Sequence, residues 1–167
     1  MSTFYKTMDS PVGTLTLVAE DDALAAILWE NDPPERVRLG PMAEKPEHPV
    51  LVEAEKQLHA YFAGKLERFT LPLAFKGTDF QKKVWAALTT IPFGETRSYA
   101  EIAKQVGSPG AVRAVGAANG KNPISIVAPC HRVIGSNGKL TGFAGGLEAK
   151  AFLLRMEAKD DFPALKW

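Results

Sequence analysis

Two capping boxes constrain the fold of this chain more than any other feature of its sequence. Thr78 is followed three residues later by Gln81, and Ser98 is followed at the same spacing by Glu101. In a capping box the hydroxyl accepts from a backbone N–H of the first turn while the Glu or Gln side chain binds the N–H of the capping residue. The first box therefore predicts a helix over TDFQKKVWAALTTI, and the second predicts a short helix over SYAEIAKQV.

A third helix is predicted after the short turn GSPG. We expect Ser108 to cap it and Pro109 to lie in its first turn, and the helix runs through GAVRAVGAANG. Two helices joined by so short a turn indicate a helix-turn-helix, whose second helix normally meets DNA. Its outer positions are mostly Ala and Gly, with Arg113 the one long polar side chain before Lys121. The pattern fits either close approach to a narrow groove or a helix packed in the core with Arg113 on its rim.

The first half of the chain has the pattern of strands followed by a helix. FYKTM, TLTLVAE and ALAAILWE are rich in β-branched and apolar residues, and SPVG and an Asp-Asp pair separate them. This predicts an antiparallel meander. The proline-broken segment 33–49 is expected to be irregular, and apolar residues at helical spacing predict a helix over 50–63. Nothing here indicates chemistry, and we expect His48 and His59 on the surface.

The segment that leads to the only cysteine of the chain is apolar and β-branched. After Asn122 comes ISIVAP, which predicts a buried, extended segment ending at Cys130. Next is SNGKLTGFAGG, 136–146, a loop whose four glycines allow its backbone to approach a ligand closely. A last helix is predicted over LEAKAFLLRMEA, 147–158. The residues expected to point inward from it are Phe152, Leu153 and Met156.

Strands followed by helices predict an α+β chain, whose 167 residues suit one compact domain or two small ones. A boundary in LPLAFKG divides the chain into 1–75 and 76–167. The first part carries 7 Lys and Arg against 12 Asp and Glu, a net charge of −5, and the second carries 13 against 7, a net charge of +6. The opposite signs suggest two units, the second facing an anionic partner, although solvated charges divided by chance would look the same.

Composition limits the cellular compartments in which the protein is expected to work. Apolar runs such as ALAAILW are far too short to span a bilayer, and the N-terminal MSTFYKTMDS lacks the apolar core of a signal peptide. A single cysteine excludes an internal disulfide and a Cys-rich zinc site, which agrees with a reducing compartment. We therefore expect a cytoplasmic protein that works without membrane, metal or cofactor.

Cys130 is the candidate for covalent chemistry. A thiol becomes a useful nucleophile only as thiolate, which a nearby cation or base must favour. His131 and Arg132 follow it directly, and a histidine base needs an orienting acid, for which Glu157 on the last helix is the candidate. The residues alone leave three alternatives open: an inert buried cysteine, a hydrogen-bonded core histidine, and a surface ion pair at Glu157.

PCHRVIG resembles the active-site signature of the O6-alkylguanine-DNA alkyltransferases. Three further segments resemble that family in order and spacing: VWAALTTIPFGETRSYAEIA, RAVGAANGKNPISIVAPCHRVIG and GFAGGLEAKAFLL. The resemblance covers most of the second half and is weaker over the first. It implies a ribonuclease-H-like N-terminal domain of an antiparallel sheet with a helix. A mostly α-helical C-terminal domain would then carry the helix-turn-helix and the cysteine.

The resemblance also implies an activity and the residues that perform it. The protein would flip O6-alkylguanine, and O4-alkylthymine, out of duplex DNA and transfer the alkyl group irreversibly to Cys130, once per molecule. His131 would act as the base through a bridging water, held by Glu157. Asn122 would brace the turn before the active-site strand. Tyr99 would donate to N3 of the departing guanine and press against the neighbouring phosphate.

Two further sets of residues follow from the resemblance. Arg113 would fill the gap left by the flipped nucleotide, as other minor-groove proteins wedge side chains between bases. The residues expected to contact double-stranded DNA are Ser98, Tyr99, Arg113, Ala114 and Gly116. The residues expected to line the base pocket are Val133, Phe143, Ala144 and Gly145.

The sequence departs from some relatives at two points. Some relatives have Tyr and Ser at 143 and 144, and others have a structural zinc for which no cysteine cluster is present here. A monomer is expected, with cooperative loading on DNA left open.

Two other functions compete with alkyl transfer. Alkyltransferase-like proteins share this scaffold and bind alkylated bases without transfer, but they lack the cysteine that is present here. A transcription factor would also use a helix-turn-helix. Its recognition helix would need Arg, Asn or Gln for base edges, and the Ala- and Gly-rich helix here does not supply them.

Overall fold

A four-stranded sheet forms the first part of the computed structural model, which describes residues 2–138 and 143–158. Strands β1 (Thr3–Met8), β2 (Leu15–Glu20) and β3 (Ala23–Leu28) are antiparallel neighbours. The short β4 (Ala43–Glu44) pairs in parallel with the outer edge of β1, so the order is β3-β2-β1-β4. The predicted antiparallel sheet is confirmed, and β4 adds an edge strand that lies within the segment expected to be irregular.

Helix α1 (Pro49–Phe62) packs on this sheet through its buried face. His48 caps the N-terminus of this helix, because its Nδ1 accepts from the Val50 N–H at 3.1 Å. Its Nε2 contacts the Asp21 carbonyl at 2.9 Å. His48 is therefore buried, and the expectation of a surface position was wrong for it; His59 is exposed as expected. A histidine that caps a helix gives no periodic signal, which is why the pattern missed it.

Helices dominate the second part. They are α2 (Asp79–Leu88), α3 (Tyr99–Gln105), α4 (Val112–Gly120) and α5 (Leu147–Glu157), with a short parallel pair, β5 (Arg97–Ser98) and β6 (Val133–Ile134), beside them. Both capping boxes form reciprocally, at Thr78 with Gln81 and at Ser98 with Glu101. The architecture is α+β, as predicted. In the part of the chain that is described, every helix is too short or too polar to cross a lipid bilayer.

The turn between α3 and α4 differs from the prediction. Helix α4 is preceded by Ala111 and has no side-chain cap, so the assignment of Ser108 as its cap was wrong. Ser108 instead begins a tight turn, in which the Ala111 N–H donates to the Ser108 carbonyl at 2.9 Å. Proline in the second position of such a turn is as favourable as proline in the first turn of a helix, and here the turn forms.

The ISIVAP segment also differs from the prediction, because it is not extended. The Val127 N–H donates to the Ser125 carbonyl at 2.8 Å and the Ala128 N–H to the Ile124 carbonyl at 2.9 Å, so the chain coils on itself. Ile126 takes a φ of 74°, in the left-handed region that β-branched residues rarely adopt. The segment is buried as predicted, but it folds as consecutive turns that bring the chain round to Cys130.

One apolar cluster joins the sheet and α1 to the second part of the chain. It contains Ile124, Ile126 and Val127 from the turns, together with Leu153 from α5. The free edge of β3 is covered in the same region, since the Ile27 N–H donates to the Pro123 carbonyl at 2.9 Å. The turns before Cys130 are therefore built on the edge of the sheet. On α5, Leu153 and partly buried Met156 face inward as expected, whereas Phe152 is 39% exposed and that expectation was wrong.

Candidate active site

Cys130 lies at the start of a single 3-10 turn, Cys130–Arg132, directly after the coiled segment. Asn122 braces that segment from inside, where it is fully buried. Its Nδ2 donates to the Ala128 carbonyl at 2.8 Å, and its Oδ1 accepts from the Ile124 N–H at 3.1 Å. One amide thus bonds both the beginning and the end of the turns, which fixes the backbone that leads into the cysteine.

The carboxylate of Glu157 is the centre of a buried hydrogen-bond network. Its Oε2 contacts Nε2 of His131 at 2.7 Å and accepts from Nη2 of Arg132 at 2.9 Å. Its Oε1 accepts from Nε of Arg132 at 2.7 Å. The hydroxyl of Tyr61 donates to Oε2 at 2.5 Å. A buried carboxylate held by four hydrogen bonds from three side chains has a closely defined position.

Ionisation in this network follows from burial and charge. Burial alone would raise the pKa of Glu157, but His131 and Arg132 outweigh it and lower that pKa to about 2. Burial lowers the pKa of His131, and Glu157 offsets this only in part. At neutral pH the carboxylate is therefore charged and the imidazole neutral, with its Nε2–H donating to Glu157. The other ring nitrogen, Nδ1, is then an acceptor, and it is buried without a hydrogen-bond partner in the described residues.

The thiol of Cys130 is 4% exposed, and burial raises its pKa. Asn122 and the ammonium of Lys150 act in the opposite direction. Lys150 is fully buried on α5, donates to the Val133 carbonyl at 2.7 Å and lies 5.8 Å from the centre of the Phe143 ring. Burial lowers the pKa of Lys150 to about 8, while the thiolate of Cys130 would favour its charged form. A cation held in this way favours the thiolate that chemistry needs.

The predicted pocket residues meet the sheet at Trp29. The Phe143 ring lies edge-on to the Trp29 ring with centroids 5.3 Å apart. A Cβ atom on Gly145 would lie 2.7 Å from the same ring, so only glycine fits there. The indole N–H of Trp29 donates to Ser125 Oγ at 3.1 Å, which ties this loop to the turns before Cys130. Residues 139–142 of the predicted glycine-rich loop lie outside the described residues.

The predicted DNA-contact residues lie on α3 and α4. Tyr99 opens α3 beside the capping residue Ser98 and packs against the apolar cluster that contains Cys130 and Val133. On α4, Gly116 faces the Tyr99 ring, since a Cβ atom there would lie 3.9 Å from it. Arg113 and Ala114 are exposed on the same helix. The structure thus packs Tyr99 against the cluster that contains the cysteine and leaves Arg113 at the surface.

The chain matches two family profiles. Residues 3–75 match the ribonuclease-like domain, and residues 79–159 the DNA binding domain, of 6-O-methylguanine DNA methyltransferase. A methylated-DNA–protein-cysteine methyltransferase of Mycolicibacterium paratuberculosis is 53% identical over 155 residues, which cover 93% of this chain and 92% of the relative. The chain belongs to the 6-O-methylguanine DNA methyltransferase family. The resemblance inferred from PCHRVIG is thereby confirmed.

Two other members show the same similarity. The constitutive methylated-DNA–protein-cysteine methyltransferase of Bacillus subtilis is 51% identical over 156 residues, 92% of this chain and 94% of that protein. A crystal structure of Mycobacterium tuberculosis OGT in complex with DNA superposes with a TM-score of 0.86 at 50% identity, over 94% of both chains. The α+β fold described above is therefore the fold of this family.

Three residues of the site were not predicted from the sequence, or not in their observed roles. Tyr61 was only one of the apolar residues at helical spacing that predicted the helix over 50–63. Arg132 was a candidate cation for the cysteine, whereas it binds Glu157 and the Ile91 carbonyl, the latter at 2.6 Å. Lys150 was not singled out. A signal for it did exist, because Lys150, Leu153, Leu154 and Glu157 share one face of α5 at helical spacing, and all four are buried. The described residues hold no group of three or more His, Cys, Asp or Glu side chains that could bind a metal ion.

Proposed function

We propose that this chain repairs alkylated DNA by transferring the alkyl group from O6 of guanine to Cys130, with O4-alkylthymine as a second substrate. The observation that carries the proposal is the acceptor Nδ1 of His131. It is buried on the residue that directly follows the only cysteine of the chain, while the other ring nitrogen is bound to an ionised Glu157. This is the arrangement that a base for a buried thiol requires.

The transfer is an in-line displacement at the alkyl carbon. The thiol proton passes through a bridging water to Nδ1 of His131, and Glu157 stabilises the imidazolium that forms. The sulfur then bonds the alkyl carbon as the bond from that carbon to O6 breaks, and the electron pair moves into the guanine ring. Tyr99 donates its hydroxyl proton to N3 of the guanine. The hydroxyl then recovers a proton from solvent. A thioether has no easy leaving route, so each molecule acts once.

The nucleotide must leave the base stack before a thiol can reach it. We propose that α4 enters the minor groove of double-stranded DNA, with Ser98, Tyr99, Ala114 and Gly116 against the backbone. Small side chains allow the helix to approach closely, and the +6 charge of residues 76–167 attracts phosphates. Val133 and residues 143–145 then form the walls around the extruded base.

We further propose that the protein works as a monomer in the cytoplasm and that its domains are residues 1–75 and 76–167. A single cysteine used as a nucleophile suits a reducing compartment. The division at 75 is supported by the change from sheet to helices and by the change in the sign of the charge. One apolar cluster contains residues of both parts.

Intact-protein mass spectrometry tests the function directly. After incubation with duplex DNA that carries O6-methylguanine, we expect each protein molecule to gain one methyl group, located on Cys130 by peptide mapping. Binding of the methylated duplex without any gain in mass would indicate an alkyltransferase-like binder. Strong preference for one unmodified sequence would indicate a transcription factor.

Replacing Arg113 with alanine tests the proposed wedge. If Arg113 stabilises only the flipped nucleotide, its loss returns part of an unstacking cost of a few kcal/mol, so repair of methylated duplex slows by roughly tenfold or more. Free O6-benzylguanine needs no flipping and should react at nearly the wild-type rate. The measurement is the ratio of the two second-order rate constants.

The matched control is Lys83→Ala, which removes an exposed positive charge from α2. It should lower DNA affinity slightly and leave the ratio unchanged. Equal losses on both substrates in Arg113→Ala would mean that Arg113 supports the fold of α4 and is not the wedge.

A further inference from the structure

Tyr61 joins the N-terminal part of the chain to the active site. It lies in the last turn of α1 and is 1% exposed. Its ring packs against three other aromatic rings, those of Phe62, Phe69 and Phe93, with centroids 5.3, 5.3 and 6.3 Å away. Its hydroxyl donates to Oε2 of Glu157 at 2.5 Å across 96 residues of sequence, and it also interacts with the side chain of Arg132.

We propose that Tyr61 is a positioning residue for alkyl transfer, whose hydroxyl fixes the Glu157 carboxylate and through it the ring and basicity of His131. The inference rests on the proposed function, since it assigns His131 as the base. It means that the ribonuclease-like part of the chain supplies a component of the catalytic network in addition to supporting the fold.

Packing alone does not explain why a hydroxyl group is buried at this position. A buried hydroxyl without a partner destabilises a protein, and phenylalanine would fill the same aromatic space without that cost. Burial and the negative charge of Glu157 hold the pKa of Tyr61 well above its ordinary range. The phenol therefore stays protonated and remains a donor to Glu157 throughout the pH range in which His131 titrates.

The effect on His131 follows from the sharing of one oxygen. Oε2 of Glu157 receives donors from Tyr61, His131 and Arg132, whereas Oε1 receives Arg132 alone. An oxygen that accepts several hydrogen bonds is a weaker acceptor for each of them. Removing the Tyr61 donor therefore strengthens the bond to His131 and stabilises its imidazolium form. The other charged groups near the imidazole, Arg132 and Lys150, lower its pKa and remain unchanged.

Tyr61→Phe tests this through the pH profile of transfer to a methylated duplex. Removing one charge-assisted hydrogen bond should shift the acidic limb of the single-turnover rate to higher pH by about one unit. At a pH below that limb the rate should fall by about three- to tenfold. Free O6-benzylguanine should show the same shift, because the change affects the base and not the binding of DNA. An NMR titration of the His131 ring should give the same displacement.

Two comparisons keep the test decisive. Tyr5→Phe on β1 removes a hydroxyl away from the network and should leave the profile unchanged. Incorporating 3-fluorotyrosine at position 61 makes the phenol a stronger donor without loss of packing, so the limb should move to lower pH. A wild-type pH profile in folded Tyr61→Phe, or no movement with fluorotyrosine, would overturn the proposal. If the wild-type protein transferred no methyl group, the proposed function would fail, while the NMR titration would still test the link between Tyr61 and His131.

Discussion

Cys130→Ser is expected to abolish alkyl transfer while the protein continues to bind methylated duplex DNA. A serine hydroxyl is a far weaker nucleophile than a thiolate, and the cation at Lys150 and the base at His131 cannot ionise it at neutral pH. The chain has no second cysteine that could replace it. Intact mass measures transfer after prolonged incubation with excess methylated duplex, and fluorescence titration with the same duplex measures binding.

The comparison of transfer with binding makes this prediction specific. The side chain at 130 is buried and is held near the Asn122 amide, so a hydroxyl of similar size finds a partner there and the fold should persist. Thermal unfolding close to that of the wild type would confirm this. A methyl group gained by the serine variant would remove Cys130 from its role, and loss of DNA binding in a folded variant would show that the thiol also recognises the substrate.

Local signals in the sequence predicted the elements that depend on neighbouring residues. Both capping boxes form with reciprocal bonds, because every atom they need lies within four residues. The cap assigned to Ser108 failed for a related reason. Ser-Pro-Gly suits a tight turn as well as a helix start, and only the packing of α4 against α2 decides between them. The indole of Trp85 contributes to that packing by donating to the Ala118 carbonyl at 2.8 Å.

The turns before Cys130 show what local signals cannot predict. A β-branched run is typical of a strand, yet Ile126 adopts a left-handed conformation that costs on the order of 1–3 kcal/mol. The surroundings enforce it: Asn122 bonds both ends of the segment, and Ile124 pairs with Ile27 on the sheet edge. Asn122 lies just before the turns, but Ile27 comes from a distant part of the chain, so the conformation depends on tertiary structure.

The active-site network was predictable only in part for the same reason. The sequence motif indicated Cys130 and His131, and the need of a histidine base for an orienting acid made Glu157 on the last helix a candidate. The bond from Tyr61 spans 96 residues, and no pattern along the chain indicates it. Lys150 was missed because lysines are almost never fully buried, and here the Val133 carbonyl and the neighbouring thiol make burial tolerable.

The Glu157 carboxylate also makes the stability of the fold depend on pH. Its pKa in the folded protein is about 2, whereas the value for a glutamate without these interactions is 4.5. A depressed folded pKa gives stability that is fully present above the unfolded value and is lost as pH falls towards the folded one. The difference corresponds to about 3 kcal/mol. We therefore expect this one group to contribute to a loss of stability between about pH 4.5 and pH 2.

Glu157→Gln should remove that stability and slow transfer together. The carboxylate accepts from Tyr61, His131 and Arg132. An amide has a single acceptor oxygen, so its NH₂ group would face donors, and the buried guanidinium of Arg132 would lose its counter-charge. Breaking one partner of a buried ion pair costs about 3–5 kcal/mol. Transfer should slow by at least about tenfold, because His131 loses the group that holds its tautomer and stabilises its imidazolium.

Urea denaturation and single-turnover kinetics measure the two effects in Glu157→Gln, with Glu47→Gln, an exposed position before α1, as the matched control. The control should match the wild type in both. In Glu157→Gln the free energy of unfolding should fall at neutral pH and lose its dependence on this group between pH 4.5 and pH 2. An unchanged transfer rate in the folded variant would remove Glu157 from the catalytic network. Unchanged stability would mean that Arg132 finds another partner, and that the carboxylate is required for chemistry alone.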